Sequence, residues 1–337
     1  MPTVSVLVPV RNEGRSVEAT LRGLLTQDFP PDRFEVIVAD GLSDDDTVPV
    51  VRRLQGEFPN LKLLYNPAKL ASAARNLAAR HMTGDVAVVV DGHCHVPDRH
   101  YLRNLAAAFT ASGADCLGRP QPLDVPDPTP FQAAVSLARS SRLGHNPGSD
   151  IFSDRPKWVE PQSTAVAYRR VVFHRVGLFD ERFDACEDVE FNTRVHAAGL
   201  SCYFCPTLAV VYQPRKTWLA LVRQLGRYGG GRARLAAKHP RSLTLPALVP
   251  PLWLAWVVAG AIMASVLPLA GWAYGSSLLL YGVVMGGAAV WMGRRQPWRV
   301  AVRVPTVFVG IHLGFAWGFL REASRQVRGV VPARAAS

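Results

Sequence analysis

After Glu190 the chain has a single acidic side chain, Glu322. Up to Glu190 there are 25 Asp and Glu against 21 Lys and Arg, whereas 17 Lys and Arg follow, so the net charge of +12 belongs to the second half. Between Arg241 and Arg294 charge is missing altogether, and the stretch is rich in Leu, Val, Ala, Trp and Gly. A membrane-crossing helix needs about 20 apolar residues, which predicts two spans, 247–269 and 272–292, joined by a tight turn. Pro250, Pro251 and Pro268 fall near the ends of the first, where a break in the helix is tolerated. A third candidate, 300–320, carries Arg303 and Pro305 near its start and His312 near its centre.

Cysteine is also scarce. The five present fit a reducing compartment, and Cys202 and Cys205, the one close pair, lack the two further ligands that a zinc site wants. No Gly-x-Gly-x-x-Gly follows the first apolar run and no Gly-Lys-Ser/Thr loop occurs, so neither a dinucleotide fold nor a P-loop is indicated. Met1-Pro2-Thr3 leads straight into a strand, with no basic n-region or cleavage site, so no signal peptide is expected.

Cations flank the spans on one side. Lys238 and Arg241 precede the first, and Arg294, Arg295 and Arg299 follow the second, which puts both flanks, and with them the N-terminal domain, on the cytoplasmic face of the plasma (inner) membrane. A third full crossing would place Arg321, Arg325, Arg328 and Arg334 outside, against the same rule. Either 300–320 lies in the interface or re-enters, or the tail breaks the rule. The basic surface after Gln213 comes just before a span, so its expected partner is anionic lipid headgroups and not nucleic acid. The chain thus divides into an α/β domain (1–212), a basic interfacial segment (213–242), a transmembrane region of two to three helices (243–321) and a basic tail (322–337).

The first of these carries the polar chemistry. Val4–Val10 reads as a strand ending in Pro9-Val10-Arg11-Asn12-Glu13, and a helix follows over 16–25. A second strand, 34–39, ends in Asp40-Gly41-Leu42-Ser43-Asp44-Asp45 before a helix over 48–54; a third, 62–65, leads to Lys69 and a helix carrying Arg75. The uninterrupted apolar run 86–90 then stops at Asp91-Gly92-His93. Strands alternating with helices, with polar residues gathered at the strands' carboxyl ends, describe an open, mostly parallel sheet with its ligand crevice at that edge.

The residue types say what the crevice could hold. Side chains two apart leave a strand on one face, so Asp91 and His93 can approach one ion, and a carboxylate oxygen with an imidazole nitrogen suits Mn²⁺ or Mg²⁺. Asp40 can accept from a base N–H, Glu13 from ribose hydroxyls, and Arg75 can pair with a diphosphate that the metal also neutralises. Together they describe a nucleoside diphosphate carrying a leaving group. Further on, Glu187 and Asp188 open a helix whose positive end keeps a carboxylate ionised, as a proton acceptor must be. Between them, the proline-punctuated stretch after Pro120 and the polar stretch 139–157 read as loops of the lid or acceptor-binding kind. Last, Gln224, Arg227 and Tyr228 offer an amide, a guanidinium and an aromatic face for a sugar hydroxyl, a phosphate and a ring.

Taken in order, the opening Val-Pro-Val-Arg-Asn-Glu, the Asp40-Gly41-x-Ser43-x-Asp45 turn, Asp91-x-His93, Glu187-Asp188 and Gln224-x-x-Arg227-Tyr228 resemble the family 2 glycosyltransferases of the GT-A fold; with the membrane tail, the likeness is to the succinoglycan glucosyltransferase type. The match covers about residues 2–234. The resemblance implies an inverting transfer from a nucleotide-sugar, a UDP-sugar foremost, to a lipid-linked or glycan acceptor, with possible partner subunits of a glycan assembly system. It implies that Pro9, Arg11, Glu13, Asp40, Lys69, Arg75 and Asp91 bind the nucleotide-sugar and that Asp91 and His93 hold a divalent metal. Asp188 would be the general base with Glu187 beside it, and Gln224, Arg227 and Tyr228 would meet acceptor and diphosphate. Two positions depart from the family pattern: its metal motif usually ends in Asp where His93 stands, and its last motif in Trp where Tyr228 stands. The second departure, with so few spans, weakens the rival expectation of a processive synthase. Other rivals are a sugar nucleotidyltransferase, which would want a Gly-rich, Arg-containing loop after the first strand, and a membrane-anchored nucleotide-sugar sensor without catalysis.

Overall fold

Apolar runs stopped by polar turn residues become strands where the sequence places them. The computed structural model describes residues 1–123, 125–145 and 148–329, and Arg334 lies outside them. The strands are β1 Val4–Val10, β2 Phe34–Asp40, β3 Leu61–Tyr65, β4 Val86–Val89, β5 Cys94–His95, β6 Cys116–Gly118, β7 Lys157–Val159, β8 Ala165–Arg169, β9 Cys202–Phe204 and β10 Val211–Tyr212. The helices are α1 Val17–Leu25, α2 Thr47–Glu57, α3 Ala71–His81, α4 Tyr101–Ser112, α5 Pro130–Arg139, α6 Pro161–Thr164, α7 Arg170–Val176, α8 Glu187–Ala197, α9 Trp218–Lys238, α10 Leu245–Val266, α11 Pro268–Gly293, α12 Trp298–Ala301 and α13 Val304–Val327. The chain forms two units, one of residues 1–123 with 148–213, the other of 125–145 with 214–329.

The first unit is built on an eight-stranded sheet in the order β3-β2-β1-β4-β8-β6-β9-β7. β1, β2, β3 and β4 pair in parallel, β8 runs antiparallel between β4 and β6, and β6 and β9 are again parallel. The sheet is therefore open and mostly parallel, as the alternation of strands and helices predicts. Alternate residues serve opposite faces: Val6, Val8, Val36 and Val38 pack with Leu21, Leu24 and Phe109 on one side. Leu7, Ile37 and Val89 pack with Ala74, Ala78 and Phe191 on the other. Each such side chain contributes about 1.5–3 kcal/mol on burial, so the register that aligns the strand ends is fixed by both faces.

The second unit is helical. Residues 130–139 form α5, where the run of prolines suggests only loop; Thr129 accepts from Gln132 N at 3.2 Å and the Gln132 side chain answers Thr129 N at 3.2 Å, a capping box that starts the helix. Three helical stretches are long and apolar enough to cross a membrane: Leu245–Val266, Pro268–Gly293 and Trp298–Val327.

Candidate active site

Parallel register brings the polar stations of the first unit to one edge. Val10 lies opposite Asp40 across β1 and β2, and Leu7 opposite Val89 across β1 and β4, so the residues that follow each strand are neighbours. Asp40 is fully buried and accepts from Ser43 twice, Oγ at 2.5 Å and N at 3.0 Å. Ser43 Oγ in turn accepts from Asn12 N at 2.9 Å, and Asn12 Oδ1 accepts from Asp44 N at 3.1 Å, which locks the two strand-end loops together. Arg11 lies against Gly41, where a Cβ would meet its Cδ at 3.2 Å. Pro9 pairs opposite Ala39 within the sheet.

The turn after β4 depends on glycine. A Cβ on Gly92 would sit 2.6 Å from Val10 Cγ1, so only glycine lets Asp91 and His93 flank the end of β1. Glu13 meets His93 there: Nδ1 is 2.8 Å from Glu13 Oε1, and Ser16 Oγ donates to Oε2 at 3.0 Å. With Nδ1–H donating to the carboxylate, Nε2 is the nitrogen that carries the lone pair, the tautomer that a metal ligand needs.

Arg75, on α3, joins this station to the next. Its Nη2 lies 3.3 Å from Asp91 Oδ1 and its Nη1 2.8 Å from Glu187 Oε1, while its Cζ sits 5.6 Å from the centre of the Phe179 ring. Burial opposes its charge, yet Glu187, Asp91 and Asp188 hold its pKa above the ordinary arginine value. Burial likewise opposes an ionised Asp91, and the positive charges of Arg75 and Arg119 keep that carboxyl below the usual range.

Glu187 and Asp188 begin α8 at a Cys186 held in the left-handed region, φ 62°. Their environments differ sharply. Glu187 is buried against Arg75, and burial, with the like charge of Asp188 added, pushes its pKa up despite the arginine. The helix dipole expected to keep carboxylates ionised here is outweighed at Glu187 by desolvation. Asp188 is exposed, one residue on, with Oδ1 accepting from Val189 N at 2.9 Å.

Lys69, half-buried beyond β3, also has positive φ, 58°. Of the described non-glycine residues with positive φ, Asn12, Leu42, Lys69 and Cys186 all stand at these strand-end and helix-start stations, and Asp127 alone lies elsewhere. Such conformations cost about 1–3 kcal/mol each and persist where surrounding contacts over-determine them.

Asp40, Asp91, His93 and Asp188 are therefore linked through Asn12, Glu13 and Arg75 within one unit. Gln224, Arg227 and Tyr228 belong to the other, on α9: Gln224 Nε2 lies 3.5 Å from Tyr228 Oη, Arg227 is exposed, and Arg139 of α5 stacks over the Tyr228 ring at 5.9 Å. Arg119 is a residue that the sequence did not single out. It follows the three-residue β6, is buried, donates from Nη2 to Val89 O at 3.1 Å and supports the charge of Asp91.

A metal fits on stated terms. Among the described residues no group of three or more His, Cys, Asp or Glu could hold one. Asp91 and His93 would thus supply two ligands and leave the remainder to diphosphate oxygens and water, the usual arrangement for ions that work on nucleotides.

A family model described as glycosyltransferase like family 2 matches residues 2–231. The chain belongs to that family. This glycosyltransferase is 31% identical over 324 residues to the succinoglycan biosynthesis protein ExoA of Rhizobium meliloti (strain 1021), a match that covers 94% of each. It is 22% identical over 247 residues to the dolichyl N-acetyl-alpha-D-glucosaminyl phosphate 3-beta-D-2,3-diacetamido-2,3-dideoxy-beta-D-glucuronosyltransferase of Methanococcus voltae, across 71% of this chain and 75% of that one. In fold, the mannosyltransferase PcManGT from Pyrobaculum calidifontis, solved with GDP-Man and Mn²⁺, superposes at a TM-score of 0.60 with 22% identity, covering 94% of this chain and 87% of that one.

Proposed function

We propose that this glycosyltransferase inverts the configuration of the sugar it moves, taking it from a nucleotide-sugar, a UDP-sugar foremost, to a lipid-linked or glycan acceptor in surface polysaccharide synthesis. The transfer takes place at the cytoplasmic face of the plasma membrane. The observation that carries the reading is Arg75, whose contacts at 3.3 and 2.8 Å tie the diphosphate-side Asp91 to the helix start that holds Glu187 and Asp188. Support comes also from the names of the relatives, one in succinoglycan biosynthesis and one acting on a dolichyl-linked sugar. A fold neighbour solved with GDP-Man and Mn²⁺ agrees with a nucleotide-sugar donor and a divalent ion.

In this reading the strand-end turn that Asp40 anchors through Ser43 borders the base, so that a base N–H reaches Asp40 only if that turn opens. Glu13 uses its remaining lone pairs on the ribose, and Pro9, Arg11 and Lys69 border the nucleotide. A divalent ion held by Asp91 and His93 would supply Lewis-acid stabilisation to the leaving diphosphate. The exposed Asp188 takes the proton from the acceptor hydroxyl as that oxygen attacks C1 of the sugar and the bond from C1 to the diphosphate breaks. Glu187 and Arg75 hold the helix start in place. Gln224, Arg227 and Tyr228 are assigned to acceptor and diphosphate on the order of the family's motifs.

The test is Asp188→Asn. Membranes carrying this variant, given radiolabelled UDP-sugars, should form lipid-extractable label about 10³-fold more slowly than wild type, the usual worth of a general base. Donor binding, read by thermal shift, should be unchanged. Wild-type turnover in the variant would refute the role of Asp188, and donor binding with no transfer by wild type to any acceptor would favour a sensor.

A further inference from the structure

In the helical unit a cleft of about 300 Å³ opens where α5 and α11 end. Leu137 and Met292 line it with apolar surface, and Trp291, 64% exposed, stands beside it. Its polar lining is Ser140 and Ser141, just after α5, and Arg294 and Arg295, just after α11. Ser140 Oγ donates to Ser136 O at 2.9 Å and Ser141 Oγ to Ala138 O at 2.6 Å, which leaves both oxygens as acceptors. Arg294 Cζ sits 5.0 Å from the centre of the Trp291 ring. Among the described residues neither guanidinium has a carboxylate partner, and Glu322, the single acid after Glu190, is paired with Arg234 at 2.8 Å.

Depth settles what such a cleft meets. α11 is uncharged throughout and long enough to cross a bilayer, so the two arginines at its end stand at headgroup level, with an interfacial tryptophan beside them. At that depth the abundant anion is the lipid phosphate, attached to a chain that must run along apolar surface.

We propose that this cleft binds a lipid phosphate: Arg294 and Arg295 hold its oxygens, Leu137, Met292 and Trp291 pack its chain, and the oxygens of Ser140 and Ser141 accept from headgroup hydroxyls. The inference rests on α11 crossing the membrane and not on the transfer chemistry, so it can fail while that chemistry stands. Two sources share this chemistry, an anionic phospholipid of the bilayer and a phosphate-linked carrier lipid.

Native mass spectrometry of the full chain in detergent, titrated with phosphatidylglycerol, phosphatidylcholine and farnesyl phosphate, tests it. Wild type should retain phosphatidylglycerol in preference to phosphatidylcholine. Arg294→Gln with Arg295→Gln should weaken that binding about thirtyfold, two charges each worth about fivefold at an anionic surface. Arg321→Gln with Arg325→Gln, which removes the same charge elsewhere, should change it less than about twofold. Displacement of phosphatidylglycerol by equimolar farnesyl phosphate assigns the cleft to a carrier lipid, and failure to displace assigns it to the bilayer. Equal binding of both phospholipids, equal losses in the two double variants, or undiminished binding without Arg294 and Arg295 overturns the proposal. Should that variant not fold, Leu137→Trp fills the cleft without altering charge; it must block phosphatidylglycerol, and retained binding again overturns the site.

Discussion

Arg75 stays charged although buried because Glu187, Asp91 and Asp188 surround it. Removing Arg75 leaves Glu187 buried without its counter-charge, which typically costs about 3 kcal/mol, whereas removing Glu187 leaves Arg75 with Asp91 at 3.3 Å and should cost less. Arg75→Gln and Glu187→Gln should each lower the thermal midpoint of the full chain in detergent accordingly. Together they should cost about 2 kcal/mol less than the sum of the two, because the second change removes the charge that the first had stranded. Strict additivity in that double-mutant cycle would show that the 2.8 Å contact does not bear on stability. The sequence reading marks Arg75 as a residue of the crevice and assigns it to phosphate. That a carboxylate of α8 shares its guanidinium could not be read, since Glu187 lies far along the chain and no local spacing relates the two.

At the level of elements, the helical unit turns on how closely α9 and α13 approach. A Cβ on Gly318 would lie 1.9 Å from Gly226 O, and one on Gly229 2.0 Å from Phe315 O, so the two helices meet backbone to backbone through small residues. Gly318→Ala should therefore destabilise by about 2 kcal/mol, the cost of forcing a methyl group into a closed contact, despite the better helix propensity of alanine. Gly282→Ala in α11, where nothing stands within 4 Å, should be neutral or stabilising by up to about 1 kcal/mol. Thermal unfolding of both variants in one detergent measures the contrast, and a Gly318→Ala protein as stable as the Gly282→Ala protein would contradict the packing. Legibility in the sequence followed the strength of local pattern. β1, β2 and β4 are apolar runs with polar stops, and their ends, with Asp40, Asp91 and His93, stood out. β6 has three residues and β7 three, too few for periodicity, so Arg119 at the end of β6 went unnoticed. The Gly229-Gly230-Gly231 run was visible, but its partners on α13 are set by tertiary contact alone.

For the whole molecule, the direction of α13 decides how many times the chain crosses the membrane. Trp218 Nε1 donates to Thr306 O at 3.0 Å and Arg234 Nε to Glu322 Oε1 at 2.8 Å, the same offset of 88 residues at both ends, so α9 and α13 run side by side in parallel. α9 carries Arg223, Arg227, Arg232, Arg234 and Lys238, charges that a lipid-facing crossing does not tolerate. The stretch of α13 paired with α9 also meets α11, where Tyr281 Oη lies 3.0 Å from His312 Nδ1. Composition alone leaves 300–320 open between a crossing and a segment that lies in the interface or re-enters; we propose the second, because the charged α9 runs beside it and Arg321, Arg325 and Arg328 then obey the positive-inside rule. On that proposal two crossings, α10 and α11, return the chain to the face from which it left, and the turn between them at Leu267 and Pro268 is the external point. A membrane-impermeant maleimide on intact cells should label Leu269→Cys, 85% exposed beside that turn, and should label Ser324→Cys only after lysis. Labelling of Ser324→Cys in intact cells would establish a third crossing and place the Arg234–Glu322 contact in doubt.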